Sequence, residues 1–211
     1  MTTTIIGCDP SSKKLAVVVT RDDLLWDTQA FWVRNPNRKA EIPLACRNAY
    51  VYVRTLINEL HDLGDDIYIA VEEPLLGRGG PQATIPQAKV FGAVMAAASI
   101  YPEVHIISTP VPTWKKYYTG KGNSGKQEVA HAVMLYWPAL YEQIKTDQDL
   151  LDAAAINRYA ASVASHEQSY ANRLNRPDYD EADVEEMKVG NTILKIVEGR
   201  IIGYERKGRK K

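Results

Sequence analysis

The stretch IIGCDPSSKKLAVVV, residues 5 to 19, limits what this chain can fold into more than any other. Ile5, Ile6 and Cys8 form a short apolar run of strand type, residues 10 to 12 carry turn chemistry, and residues 15 to 20 read as a β-branched return strand. One aspartate, Asp9, stands where the first strand ends. A carboxylate leaving a buried strand end is costly to desolvate unless a cation or a hydrogen-bond donor answers it. A turn-forming acid at the rim of a sheet explains a single such residue equally well, so the weight of Asp9 depends on which other acids the fold brings beside it.

The pattern beyond this hairpin supplies the rest of the sheet. Residues 24 to 33 alternate as a third strand with Trp26 and Trp32 on one side, and Asn-Pro-Asn at 35 to 37 closes it. A helical stripe of Ile42, Ala45, Ala49, Val53, Leu56, Ile57 and Leu60 predicts a helix over residues 39 to 63, ending before Gly64. Residues 67 to 71 form a fourth strand that delivers Glu72 and Glu73 directly before Pro74. The glycine-rich segment 77 to 81 reads as a mobile or substrate-facing loop. A small-residue helix is expected over 84 to 100, with Gly92, Ala93, Ala96 and Ala97 allowing close packing on the sheet. A fifth strand covers 104 to 108, a helix covers 126 to 137, and the last core helix begins near Asp149. Three strands followed by alternating helix and strand predict a mixed α/β sheet with helices on both faces.

Near residue 165 the character changes, which divides the chain into a core, residues 1–165, and a C-terminal extension, residues 166–211. The extension opens with an acidic segment at 175 to 186. Residues 187 to 206 then read as a two-stranded hairpin turning near Glu198 and Gly199, and the chain ends in a basic run. That run is read as a solvated end or a phosphate-contacting tail, and the extension as partner-facing or oligomer-stabilising.

With 211 residues and 45% hydrophobic content, the chain can bury one sizeable core. Its formal charge of zero excludes a uniformly basic nucleic-acid binder but leaves room for a local basic surface. Cys8 and Cys46 match no zinc spacing and are expected to be free thiols in a reducing compartment. The opening residues lack a secretory pattern, and no apolar run reaches the ~20 residues that a membrane span needs. A cytoplasmic protein without a membrane partner is expected.

Four carboxylates stand at element ends: Asp9, Glu72, Asp149 and Asp152. The spacing of three places Asp149 and Asp152 on one helix face. Pairing of the first and fourth strands would bring Asp9 and Glu72 within reach of that helix. Such a cluster repels itself and calls for a cation, and its oxygen donors suit Mg²⁺ or Mn²⁺. Two ions about 4 Å apart would permit in-line phosphodiester hydrolysis. Asp149 also reads as a helix N-cap and Asp152 as a first-turn acid. Lys115 and Lys126, and more loosely Lys121, are placed to meet a phosphate. The segment 120 to 126 has the glycine spacing of a phosphate-binding loop, but Gln127 stands where Ser or Thr is required, so a nucleotide triphosphatase is excluded. His61, His105, His131 and His166 are read as packed or surface residues.

These motifs together resemble the RuvC family of Holliday-junction resolvases, within the ribonuclease H-like superfamily. The resemblance rests on GlyCysAspProSerSer at 7 to 12, ValGluGlu at 71 to 73, GlnAlaLysValPheGly at 87 to 92, the run from Lys115 to Lys126 with Val129, and AspLeuLeuAspAlaAlaAlaIle at 149 to 156. It implies a five-stranded mixed sheet whose second strand is antiparallel, a homodimer, and paired nicks across four-way DNA junctions with Mg²⁺ or Mn²⁺, two ions per site. The family's acidic ligands fall on Asp9, Glu72, Asp149 and Asp152, and its basic positions on Lys115 and Lys126. Glu73 is a candidate to support Glu72. Arg78, Lys116, Lys121 and Leu75 are further DNA-contacting candidates.

Three departures stand out. The family's aromatic wedge falls on Leu75, Ser11 replaces a glycine in the first turn, and the extension has no counterpart in a minimal resolvase. They suit a divergent, phage-type member accepting forks and flaps besides four-way junctions. The alternatives are a ribonuclease H-like nuclease acting on hybrid or duplex, and a non-catalytic protein that binds branched DNA.

Overall fold

Strand β1 (Thr3–Pro10) is the centre of the molecule because its residues are apolar or small on both faces, as a strand covered on both sides requires. The structure, a computed structural model, describes residues 2–33, 35, 41–75, 80–174, 185–189, 192–197 and 200–206. Strand β2 (Lys14–Arg21) returns antiparallel to β1, and β3 (Leu24–Trp32) returns antiparallel to β2. Asp22 and Asp23 make that second turn with positive φ at both residues, the geometry a two-residue hairpin favours. Helix α1 (Ile42–Asp62) then crosses back so that β4 (Asp66–Glu72) lies parallel to β1. Helix α2 (Pro81–Ala98) crosses again, and β5 (His105–Thr109) adds parallel to β4.

The sheet order is β3-β2-β1-β4-β5, a five-stranded mixed sheet in which only β2 runs against the others. This is the arrangement expected of the ribonuclease H-like fold. Helices α3 (Val111–Thr119), α4 (Lys126–Tyr136), α5 (Pro138–Ile144) and α6 (Gln148–Leu174) follow. Strand alternation divides the core into two layers. Ile6, Cys8, Val17, Ile69 and Val71 pack with α1 and α2, whereas Ile5, Ala16, Val18, Tyr68 and Ala70 pack with α3 to α6. Cys8 and Cys46 are free thiols. Among the described residues, no helix is long and apolar enough to cross a membrane.

Several elements differ from expectation. Helix α1 begins at Ile42, with a proline in its first turn, rather than at residue 39. Helix α2 starts at Pro81 and stops at Ala98, and its packed face is Val90, Val94, Ala97 and Ala98. Gly92 and Ala96 face outward instead. Helix α3, not anticipated from the sequence, forms just after Pro110, because Pro112 sits in its first turn, where the missing N–H costs no helical bond. Val111, Trp114 and Tyr118 then share one buried face. Helix α5 likewise starts with Pro138 and buries Leu140 and Ile144.

The chain divides into two units, Met1–Ala164 and Ser165–Lys211. The second contains three antiparallel strands, β6 (Glu185–Val189), β7 (Thr192–Val197) and β8 (Arg200–Arg206), in the order β6-β7-β8. It is therefore a three-stranded meander and not a two-stranded hairpin. β6 draws in Glu185 and Glu186, which composition had grouped with the acidic segment. Residues 175–184, the turn at 198–199 and the basic end at 207–211 lie outside the described residues.

Candidate active site

Asp9 and Glu72 meet through register. Cys8 pairs with Val71 across the parallel strands β1 and β4, so the next position on each strand places Asp9 beside Glu72 at the two carboxyl ends. Both share the parity of the residues packed under α3 to α6: Asp9 with Ile5, and Glu72 with Tyr68 and Ala70. Glu73, one residue on, has the opposite parity and accepts a hydrogen bond from Ser108 Oγ of β5 at 2.7 Å. It is committed to that strand.

Helix α6 brings the other two acids, and Gly7 sets how close it comes. A Cβ added at Gly7 would lie 2.4 Å from the Ala153 carbonyl oxygen and 2.5 Å from the Asn157 nitrogen. The helix backbone thus rests directly on β1. Asn157, fully buried, fixes it there by donating from Nδ2 to the Ile5 carbonyl at 2.8 Å and to the Val18 carbonyl at 3.0 Å. Thr20 Oγ1 lies 3.2 Å from Asn157 Oδ1. A polar side chain straddling β1 and β2 defines both the height and the rotation of α6, hence the positions of Asp149 and Asp152.

Glu72, Asp152 and Asp149 each push the Asp9 carboxyl above its ordinary range, after burial as the largest cause. Burial and Asp152 likewise raise Glu72 to about 7. Asp152 is raised by burial, partly offset by a hydrogen bond from Gln148 and by the charges of Lys115 and Lys126. The four acids therefore sense one another. Among the described residues, however, no three His, Cys, Asp or Glu side chains converge tightly enough to clasp a metal ion. Three of the four acids each meet a local donor. Trp114 Nε1 donates to Glu72 Oε2 at 3.0 Å, Gln148 Nε2 to Asp152 Oδ1 at 2.9 Å, and Lys14 Nζ lies 3.2 Å from Asp149 Oδ2. An indole, an amide and an ammonium thus answer Glu72, Asp152 and Asp149 in turn.

None of these three donors carried a sequence signal. Lys14 reads as a strand-start lysine, and Trp114 as core, which it also is, being fully buried. Asp147 was missed too. Its Oδ1 accepts from the Asp149 and Leu150 amides at 3.1 and 3.4 Å, so Asp147, and not Asp149, caps α6. Its acidic character just before Gln148 was the available clue. Ser11 explains its own departure. Its Oγ accepts from the Lys13 and Lys14 amides at 3.2 and 2.9 Å and donates to the Lys14 carbonyl at 2.9 Å, which closes the turn without glycine.

Lys115 on α3 and Lys126 at the start of α4 flank a pinned loop. Lys115 Nζ donates to the Ser124 carbonyl at 3.0 Å, and its charge lowers both Glu72 and Asp152. Lys126, exposed at the start of α4, lowers Asp152. Glu128 Oε2 accepts from the Gly125 amide at 2.6 Å, so the α4 N-terminus already holds an anion of its own. Lys116 and Lys121 are exposed, and Leu75 is exposed at the last described position before residue 76. Arg78 lies outside the described residues. His105 is exposed, with one ring face stacked on Tyr68 at 4.3 Å and Nε2 3.5 Å from Asp66 Oδ1.

The raised acids predict a pH dependence of folding. Glu72 in the folded chain holds its proton up to about 7, whereas the unfolded chain releases it near 4.5. Between those values the native state binds more protons, so stability falls as pH rises. Urea unfolding in chelator is expected to show a lower midpoint at pH 8 than at pH 5.5, and Glu72→Gln is expected to flatten the difference. An equal or higher midpoint at pH 8 would contradict this placement of Glu72.

The sheet order, the crossovers and the helices on both faces define a ribonuclease H-like α/β fold. Solved structures that share it include Thermus thermophilus RuvC, with 22% identity, a TM-score of 0.53, and coverage of 74% of this chain and 91% of that one. The T. thermophilus RuvC in complex with Holliday junction substrate gives 21% identity and a TM-score of 0.55, covering 74% of this chain and 90% of that chain. The yeast mitochondrial Holliday junction resolvase gives 13% identity and a TM-score of 0.52, covering 80% and 83% of the two chains. No protein-family profile and no curated protein sequence matches the chain.

Proposed function

We propose that this chain is a divalent-metal-dependent, structure-selective DNA endonuclease that cuts four-way junctions and other branched DNA as a homodimer. The observation that carries the reading is the charge coupling of Asp9 with Glu72, Asp149 and Asp152 at the carboxyl ends of two adjacent parallel strands. The fold likeness to a RuvC bound to Holliday junction substrate supports the substrate class. The homodimer follows from chemistry: one acidic centre cuts one strand, and resolution needs two cuts.

The donor set fits a hard cation, since all four groups are carboxylates, the oxygen donors that Mg²⁺ or Mn²⁺ prefers. Asp9, Glu72, Asp149 and Asp152 would hold two such ions, which supply Lewis acidity and an activated water. Trp114 orients Glu72, while Gln148 orients Asp152. Lys115 and Lys126 place positive charge beside the acids, where a phosphate must come to rest. Leu75 at the wedge position favours tolerance of forks and flaps over strict junction selectivity. Lys116, Lys121 and Arg78 are assigned to the DNA backbone, and residues 166–211 to partner or subunit contacts.

A substrate panel tests the assignment. Four-way junction, fork, flap, plain duplex and RNA:DNA hybrid are incubated with the full chain in Mg²⁺, with chelator as control. Nicking of branched DNA in preference to plain duplex, abolished by chelator, is expected. Preference for hybrid would point instead to a ribonuclease H-like activity. Binding of branched DNA without cleavage in any divalent ion would point to a non-catalytic role.

A further inference from the structure

Lys14 lies five residues after Asp9, at the start of β2 on the far side of the Ser11 turn. Its ammonium makes two short contacts with Asp147, 2.7 Å to Oδ1 and 2.5 Å to Oδ2, and a longer one of 3.2 Å to Asp149 Oδ2. The pair is largely withdrawn from solvent at the lysine, whose side chain is 18% exposed, and more open at Asp149, which is 43% exposed. Asp147 has a second duty as the cap of α6, with Oδ1 also accepting two helix amides. One lysine thus spans a structural aspartate and a candidate metal ligand.

We propose that Lys14 is an internal counter-cation that competes with the divalent ion for Asp149 and so sets the ion concentration at which that side of the site fills. The proposal rests on the metal-dependent reading above. The shorter bonds to Asp147 anchor the ammonium, and the longer one leaves Asp149 on loan. A divalent ion recruiting Asp149 must displace a charge already paired with it, which costs affinity. The same contact shields the acids from one another before the ion arrives, since the Lys14 charge also lowers Asp9.

Two substitutions separate competition from a merely structural tether, because competition gives them opposite signs. Lys14→Met frees Asp149, so Mn²⁺ should bind more tightly, by roughly 5- to 10-fold, the lower end of ordinary coupling between sites. Asp147→Asn keeps a good N-cap residue but removes the anchoring charge, leaving Lys14 to pair with Asp149 alone, so Mn²⁺ should bind more weakly. Lys14→Arg retains the competing charge and should show no tightening. A tether would weaken Mn²⁺ binding in both Lys14→Met and Asp147→Asn, since either change would loosen α6.

The experiment is calorimetric titration of the chelator-stripped full chain with Mn²⁺, read alongside the Mn²⁺-induced rise in melting temperature. Expected are a tighter ion and a larger thermal shift for Lys14→Met, and the reverse for Asp147→Asn. Lys14→Gln, which keeps a donor toward Asp147, carries the measurement if the methionine variant does not fold. Weaker or unchanged Mn²⁺ binding in the neutral Lys14 variant, with the wild type binding normally, overturns the proposal alone. A wild type that binds no Mn²⁺ even with junction DNA present overturns the metal-dependent reading and the proposal together.

Discussion

Asp9→Asn is expected to abolish strand cleavage while leaving junction binding intact. The substitution keeps the size of the side chain and one oxygen, and it removes the charge at the position that feels all three other acids. If Asp9 helps to hold the ions, the loss amounts to several kcal/mol of transition-state stabilisation, or ~10³-fold or more in rate. Binding should hold or tighten slightly, because one repelling charge near the DNA backbone is gone. Single-turnover nicking in Mg²⁺, paired with junction binding in chelator, measures both. Robust nicking by the variant would remove Asp9 from the chemistry and with it the centre of the assignment. A further sign is expected in the same variant: it should be more stable than the wild type at pH 8 in chelator, since a repelling charge has been neutralised.

Gly7→Ala should be the most damaging change of a single methyl group. The added carbon would fall 2.4 Å from one backbone atom of α6 and 2.5 Å from another, and backbone cannot rotate aside as a flexible side chain can. The helix must lift, which breaks the two Asn157 bonds to β1 and β2 and costs roughly 2–4 kcal/mol, at or above the usual range for overpacking. Cleavage should suffer beyond the loss of folded protein, because Asp149 and Asp152 ride on the displaced helix. Thermal unfolding, with nicking assayed well below the variant's midpoint, distinguishes the two losses. Wild-type stability would show that α6 does not rest on Gly7 as described.

The strands were legible because their burial is written in composition. β1, β2 and β4 are β-branched or apolar on both faces, and only a covered strand tolerates that. The stripe from Ala45 to Leu60 marked α1 equally well. Helices α3 and α5 were hidden by prolines, which interrupt a helix within its body but begin one without penalty, and no local rule separates the two cases before the buried face is known. At the site, Asp9 and Glu72 followed from strand ends once the two strands were taken as neighbours. What placed them was register, which the chain does not announce. The supporting residues were harder still. Trp114, Gln148 and Lys14 act through single hydrogen bonds or ion pairs across the fold, and such partners have no periodicity. Asn157 had a readable signal, a lone amide among Ala153, Ala154, Ile156 and Ala160 on an apolar helix, where a polar residue must find its partners in the core.

The seating of α6 on β1 also fixes when the acids can act together. Asp9 and Glu72 are present early as the chain leaves the ribosome, but Asp149 and Asp152 come from a helix that starts at Gln148 and docks on strands made long before. Contacts of such long sequence separation form late, after the loops between them have been closed. A nascent chain, or one cut short before that helix, therefore carries half of the carboxylates and none of the clamp that aligns them. If the acids act as proposed, a chain that still lacks α6 would leave DNA uncut without an inhibitor, by the order in which its parts arrive.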